Sequence, residues 1–197
     1  EEQKYDRIIA ADRGLHFCYK HGIVPQAVVG DFDSMPQGIL EEYEGRPGTV
    51  VHRLSPRKDD SDTQSAFHIA VEMGASEIGI LGGTGGRLDH TLANVELLAC
   101  GLSAGVHSYM ADAWNYIWAS QRPVRLRRSM QKGKYVSLFA LGGPVEGLTL
   151  KGFSYPLDHY CLTSRDCGLT VSNEIVEDEA VITFTKGCLL LIMSRDC

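Results

Sequence analysis

Several simple functional readings are missing from this chain. None of its six cysteines forms a Cys-x-x-Cys pair, and no histidine lies at zinc-finger spacing. Neither a structural zinc site nor a dithiol motif is therefore written in the sequence. Positive charge is in short supply: 19 Lys and Arg face 25 Asp and Glu, a formal net charge of -6. A general nucleic-acid binder needs a basic footprint, so that class is excluded. No apolar run reaches the ~20 residues that cross a bilayer, and the longest late one, Cys188 to Met193, reads as a buried strand. No signal-peptide pattern opens the sequence, and it holds no internal repeat or low-complexity tract. Cys18, Cys100, Cys161, Cys167, Cys188 and Cys197 are expected to be reduced, buried or incidental thiols in a cytoplasmic protein.

What is present is an ordinary globular composition, 44% hydrophobic and 22% charged over 197 residues, enough for one large or two small domains. The first part alternates short apolar runs with helical patterns. Strands are expected at 7–11, 27–30, 50–54 and 78–81, with two more at 106–110 and 116–119. Helices are expected at 15–21, at 36–43 with Pro36 in the first turn, at 62–73 with Gly74 as its stop, and at 90–102. Such alternation implies one parallel sheet covered on both faces. From Pro123 onward no helix is expected. Runs such as 135–139, 148–150, 180–185 and 189–193 have strand composition, punctuated by glycines. The expected class is α/β, a parallel-sheet domain (1–121) followed by a small antiparallel sandwich or barrel (122–197). Arg122, Arg125, Arg127 and Arg128 fall at the join and read by default as a solvated linker, with a phosphate site as the alternative.

Polar clusters follow the predicted strands. In Gly30-Asp31-Phe32-Asp33-Ser34, an extended backbone would put Asp31 and Asp33 on one face, beyond a strand end where α/β sheets bind ligands. Two readings stay open: a cation site, or a polar turn capping the next helix through Ser34. Lys58-Asp59-Asp60-Ser61-Asp62 opens a helix, with Ser61 or Asp62 as its cap, yet has more acids than a cap needs. Gly82-Gly83-Thr84-Gly85-Gly86-Arg87-Leu88-Asp89-His90 lets backbone N–H groups approach a phosphate closely. It is neither a P-loop nor a dinucleotide fingerprint; the alternative is a flexible turn with Asp89 as cap. A further acid, Asp12, follows the first strand. Acids recurring at strand ends point to a hard, oxygen-seeking cation and to phosphoryl chemistry.

These segments, with Ala11-Asp12-Arg13-Gly14 and the late Val171-Ser172-Asn173-Glu174, resemble in order and spacing the motifs of thiamine pyrophosphokinases, over essentially the whole chain. The resemblance implies a Rossmann-like parallel-sheet domain followed by an antiparallel β-sandwich domain, in a homodimer with thiamine near the interface. It also implies transfer of a pyrophosphoryl group from ATP, with Mg²⁺, to thiamine. Carried over by motif, Asp31, Asp33 and Asp62 are the catalytic metal ligands. Asp12, Lys58, Asp59, Gly83, Gly85, Gly86 and Arg87 serve ATP and its phosphates. Asp89, catalytic as well, His90, Ser172 and Asn173 serve thiamine. Three departures stand out. Arg13 replaces a glycine of the family's Ala-Asp-Gly-Gly, Ser61 replaces a threonine, and the family's opening strand and glycine turn have no counterpart ahead of Glu1. Alternatives are a pyrophosphokinase for another alcohol, such as a pterin, and a non-catalytic nucleotide or thiamine sensor.

Overall fold

The computed structural model describes residues 5–33, 35–36, 38–55 and 60–196. The chain divides into two compact units, Glu1–Ala75 and Ser76–Cys197.

The first unit alternates strand and helix: β1 (Ile9–Ala11), α1 (Gly14–Lys20), β2 (Ala27–Gly30), α2 (Ile39–Tyr43), β3 (Val50–Arg53) and α3 (Asp62–Glu72). The strands form a parallel sheet in the order β1-β2-β3. Every residue of β2 is buried, as its uninterrupted apolar composition requires of a central parallel strand. Ala10, Leu15, Cys18, Val28, Phe32, Ile39, Leu40 and Tyr43 make the core, and α3 packs on β1 and β2. Ser61 caps α3 by accepting the Gln64 N–H at 3.1 Å. Helix α2 starts later than Pro36, because Gly38 takes a left-handed φ of 92° at its N-cap, which no helix continues through.

The second unit begins with β4 (Glu77–Leu81), α4 (Leu88–Ser103), β5 (His107–Ala111), β6 (Asn115–Ser120) and β7 (Val124–Arg127). A single 3₁₀ turn, Arg128–Met130, precedes β8 (Tyr135–Ala140), β9 (Val145–Lys151), β10 (Leu157–Leu162), β11 (Asn173–Glu174), β12 (Glu179–Thr183) and β13 (Leu189–Ser194). One sheet has six strands in the order β11-β8-β13-β6-β5-β4, and the other four, in the order β10-β9-β12-β7. Only β4 and β5 pair in parallel, with α4 as their crossover. The remaining pairs in these two sheets are antiparallel. Both sheets bury side chains in one core: Leu189, Leu191 and Met193 of β13 meet Leu148 and Leu150 of β9 and Ile182 of β12.

The single parallel sheet expected for the first part is therefore not formed. β4 belongs with the antiparallel strands, because the short β5–β6 connection reverses the chain and β6 then pairs with β13. Helix α4 also begins two residues before the expected His90, with Arg87 and not Asp89 at its N-cap position. The five described cysteines are free thiols. Among the described residues no helix is long and apolar enough to cross a membrane.

Candidate active site

In the first unit, β1 and β2 end side by side, and Asp12 N–H donates to Val29 O at 2.8 Å as the last rung of their ladder. Asp12 then takes φ 39° and Phe32 takes φ 62°. A left-handed conformation in a residue as bulky as Phe is a genuine outlier. It sends the Phe32 ring into the core while Asp31 stays half-buried and Asp33 exposed. The strand has already ended at Gly30, so the extended geometry expected for Asp31-Phe32-Asp33 is replaced by a tight turn. In it the Asp33 N–H donates to Asp31 Oδ1 at 3.2 Å.

Asp12 is the acid of this unit with a raised carboxyl. Its Oδ1 is buried and has no hydrogen-bond partner among the described residues. Burial pushes its carboxyl above the usual range, and the charges of Asp62 and Asp31 push it further. The Arg13 backbone N–H and guanidinium offset this only in part. The negative charges at the end of β2 and the start of α3 thus disfavour ionisation of Asp12 at the end of β1. Among the described residues no three acids, histidines or cysteines form a ready-made metal cage. Magnesium asks for less, one or two carboxylates with water and phosphate completing its shell. An orphaned buried carboxylate oxygen facing two further negative charges is a donor set that fits such a cation. Asp60 is engaged locally, accepting from Gln64 Nε2 at 2.7 Å and lying 3.8 Å from His68 Nδ1. Lys58 and Asp59 lie outside the described residues, as does Ser34.

In the second unit the glycine loop joins β4 to α4. Asn94 Nδ2 donates to Gly83 O at 3.0 Å, and the Thr84 hydroxyl donates to Asp112 Oδ2 at 2.6 Å. Gly85, Gly86, Arg87, Asp89 and His90 are exposed. Arg87 holds Asp89 through Nε–Oδ1 at 3.1 Å and Nη2–Oδ2 at 2.6 Å. That hydrogen-bonded fork, with the His90 N–H and the two cationic neighbours, outweighs desolvation and draws the Asp89 carboxyl down to about 2.

The late motif is built differently from its sequence reading. Ser172 is exposed with φ 56°, and its N–H donates to Ser137 Oγ at 3.0 Å. Asn173 is only 3% exposed. Its Oδ1 accepts the N–H groups of Tyr155 and Glu174, each at 3.0 Å, and its Nδ2 donates to Tyr155 O at 2.8 Å. Its amide therefore brackets the backbone of Tyr155, a residue that is 66% exposed.

Sequence reasoning passed over Asn94, Asp112 and Tyr155. Asn94 alone left a trace, as a polar residue on a face of α4 that otherwise buries Leu97, Leu98 and Gly101. The left-handed residues left none: among the described non-glycine residues only four have positive φ, and Asp12, Phe32 and Ser172 are three of them. Strain of that kind gathers where function demands it.

Strand-end carboxylates able to take a divalent cation, together with a glycine-rich loop opening a helix, are the equipment of a phosphoryl-transfer enzyme. Residues 2–109 match the family model of the thiamin pyrophosphokinase catalytic domain, and residues 123–189 match that of the thiamin pyrophosphokinase vitamin B1 binding domain. The thiamine pyrophosphokinase of Bacillus subtilis is 31% identical over 188 residues, covering 95% of this chain and 87% of that protein. Its crystal structure superposes with a TM-score of 0.86 over 96% of this chain and 87% of that one, at 30% identity. The thiamin pyrophosphokinase of Candida albicans, at 17% identity, shares the fold with a TM-score of 0.83 over 96% of this chain and 81% of that one. The chain belongs to the thiamine pyrophosphokinase family, ATP-using enzymes that make thiamine diphosphate.

Proposed function

We propose that this protein transfers the pyrophosphoryl group of ATP to the hydroxyl of thiamine, releasing AMP and thiamine diphosphate. Membership of the family across both matched domains carries this reading. The hydroxyl oxygen attacks the β-phosphorus, the bond from that phosphorus to the α–β bridging oxygen breaks, and AMP leaves with the electron pair. The hydroxyl proton is released to solvent.

Such a transfer needs positioning and charge neutralisation more than covalent help. Asp31, Asp33 and Asp62 would hold Mg²⁺, with Asp12 beside them; the partnerless Oδ1 of Asp12 and its repulsion by Asp62 and Asp31 support this. Bound Mg²⁺ supplies charge neutralisation for the polyphosphate. Lys58, Asp59, Gly83, Gly85, Gly86 and Arg87 serve the phosphates. Asp89 and His90 serve the thiamine end. With its carboxyl near 2 while Arg87 holds it, Asp89 is a weak proton acceptor at neutral pH and orients the hydroxyl instead. Ser172 contributes directly to the thiamine pocket. Asn173 contributes by holding Tyr155, whose exposed aromatic face suits a cationic thiazolium ring.

In this reading residues 1–121 carry the catalytic, ATP-binding role and residues 122–197 the thiamine-binding role, although β4, β5 and β6 share one sheet with β8, β11 and β13. The enzyme works as a homodimer in the cytoplasm. The exposed apolar side chains Leu169, Val171 and Val176 around the Ser-Asn motif support self-association.

A coupled assay for AMP with thiamine and Mg·ATP tests the reading. AMP formation that requires both thiamine and the metal is the expected result. Binding without AMP release would leave a sensor, and preference for a pterin alcohol would leave a different pyrophosphokinase.

A further inference from the structure

The glycine loop is not a free turn, since two consecutive residues of it are held from behind. Gly83 approaches its neighbours so closely that a Cβ there would lie 3.0 Å from Ile80 Cγ2, 3.1 Å from Met110 Cε and 3.3 Å from Asn94 Nδ2. Its carbonyl accepts from the buried Asn94. At the next residue the Thr84 hydroxyl meets the Asp112 carboxylate, 28 positions along the chain, at 2.6 Å. That length is typical of a charge-assisted O–H···O⁻ bond. Neither pin uses a backbone N–H of the loop, so both leave those donors to a ligand.

Asp112 is itself rigidly placed in the β5–β6 turn. Its Oδ1 accepts the N–H groups of Trp114 and Asn115, each at 2.7 Å, and the Asn115 amide reaches both carboxylate oxygens at 3.0 Å. Near the end of the chain, Arg195 grips the same turn, donating from Nε and Nη2 to Ala113 O at 3.0 and 2.7 Å and from its backbone N–H to Trp114 O at 3.1 Å. Burial would push the Asp112 carboxyl up. The donors from Thr84, Asn115 and Trp114 outweigh it and hold the group ionised, in the form that accepts the Thr84 hydroxyl.

We propose that Asp112 is a positioning residue for nucleotide binding: through the Thr84 hydroxyl it locks the glycine loop in the conformation that takes the phosphates of ATP. This rests on the loop's assignment to the phosphates. A side chain that only stabilised the β5–β6 turn would have no need of Thr84, and the hydroxyl is the one link in this chain that can be removed without disturbing the turn.

The test is Thr84→Val, which keeps the shape and deletes the donor, with Thr84→Ser as the conservative rescue and Gly86→Val as a probe of the loop. A Cβ on Gly86 meets nothing within 4 Å, so its added bulk perturbs a ligand before it perturbs the fold. Each variant is measured for Mg·ATP affinity by calorimetry, for KM of Mg·ATP and of thiamine, and for Tm. Thr84→Val is expected to weaken Mg·ATP by about tenfold, with thiamine KM and Tm close to wild type, and Thr84→Ser to restore binding. If Gly86→Val weakens Mg·ATP while Thr84→Val does not, the positioning role is overturned and the loop assignment survives. If Gly86→Val leaves Mg·ATP binding unchanged, the loop assignment fails and takes this inference with it. A loss of Tm in Thr84→Val with both KM values moving equally would reduce the contact to a structural one.

Discussion

Arg87 and Asp89, two residues apart at the mouth of α4, form a two-point clasp of 3.1 and 2.6 Å that holds the Asp89 carboxyl at about 2. A carboxylate so acidic does not change charge from about pH 5 upward. The kcat–pH profile is therefore expected to carry no limb belonging to Asp89. Asp89→Asn should lower kcat by about 10²-fold through lost orientation and leave the inflections where they were. An inflection on the acid side that disappears in Asp89→Asn would show that the carboxyl does take the hydroxyl proton.

Asp31 is half-buried in the turn after β2 and adds its charge to that facing Asp12. Asp31→Ala is expected to reduce turnover by about 10²–10³-fold while Tm stays within a few degrees of wild type. Near-normal activity with Mg²⁺ would remove Asp31 from the metal site.

Asp12 yields a prediction of unusual sign. Burial and the charges of Asp62 and Asp31 raise its carboxyl above the ordinary value, so the folded protein holds this proton more tightly than the unfolded chain does. The group thus favours the native state at low pH, and that benefit is lost as pH rises through the folded pKa. At neutral pH in a chelator, Asp12→Asn should stabilise the protein by about 1 kcal/mol at most, given solvent screening, or ~2–4 °C in Tm. Added Mg²⁺ should narrow the gap by raising the wild-type Tm more. A lower Tm for the variant in chelator would contradict the repulsion argument.

Asn173 makes three hydrogen bonds from a site that is 3% exposed. Asn173→Ala leaves the Tyr155 and Glu174 backbone groups without these partners, and the expected loss is about 2–4 kcal/mol. Tyr155→Ala, an exposed change, should leave Tm nearly unaltered but raise the KM for thiamine. Kinetics and thermal melts on the two variants separate the bracket from the ring it holds. Unchanged thiamine KM in Tyr155→Ala would dismiss the aromatic face from the pocket.

Much of this molecule is legible in its sequence. The bounds of β2 follow from an unbroken apolar run, the start of α3 from the hydroxyl of Ser61 capping Gln64, and the glycine loop from its composition between strand and helix. The motif segments sufficed to place the chain in its family. All of these depend on residues close in sequence, where periodicity, capping and turn chemistry act.

What the sequence could not decide depends on distant partners. Whether β4 joins β1–β3 or the antiparallel strands is a question of which edge bonds to which, and apolar patterning is the same in either case. The left-handed Phe32 answers to the core that receives its ring, not to its neighbours in the chain. Asn173 is a bracket because Tyr155 folds back 18 residues to meet it, and Thr84 is pinned because Asp112 arrives from 28 residues away. Local chemistry set out the strands, caps and loops. Only tertiary packing could bring buried polar groups their partners, since an unpaired one costs more than the chain can bear.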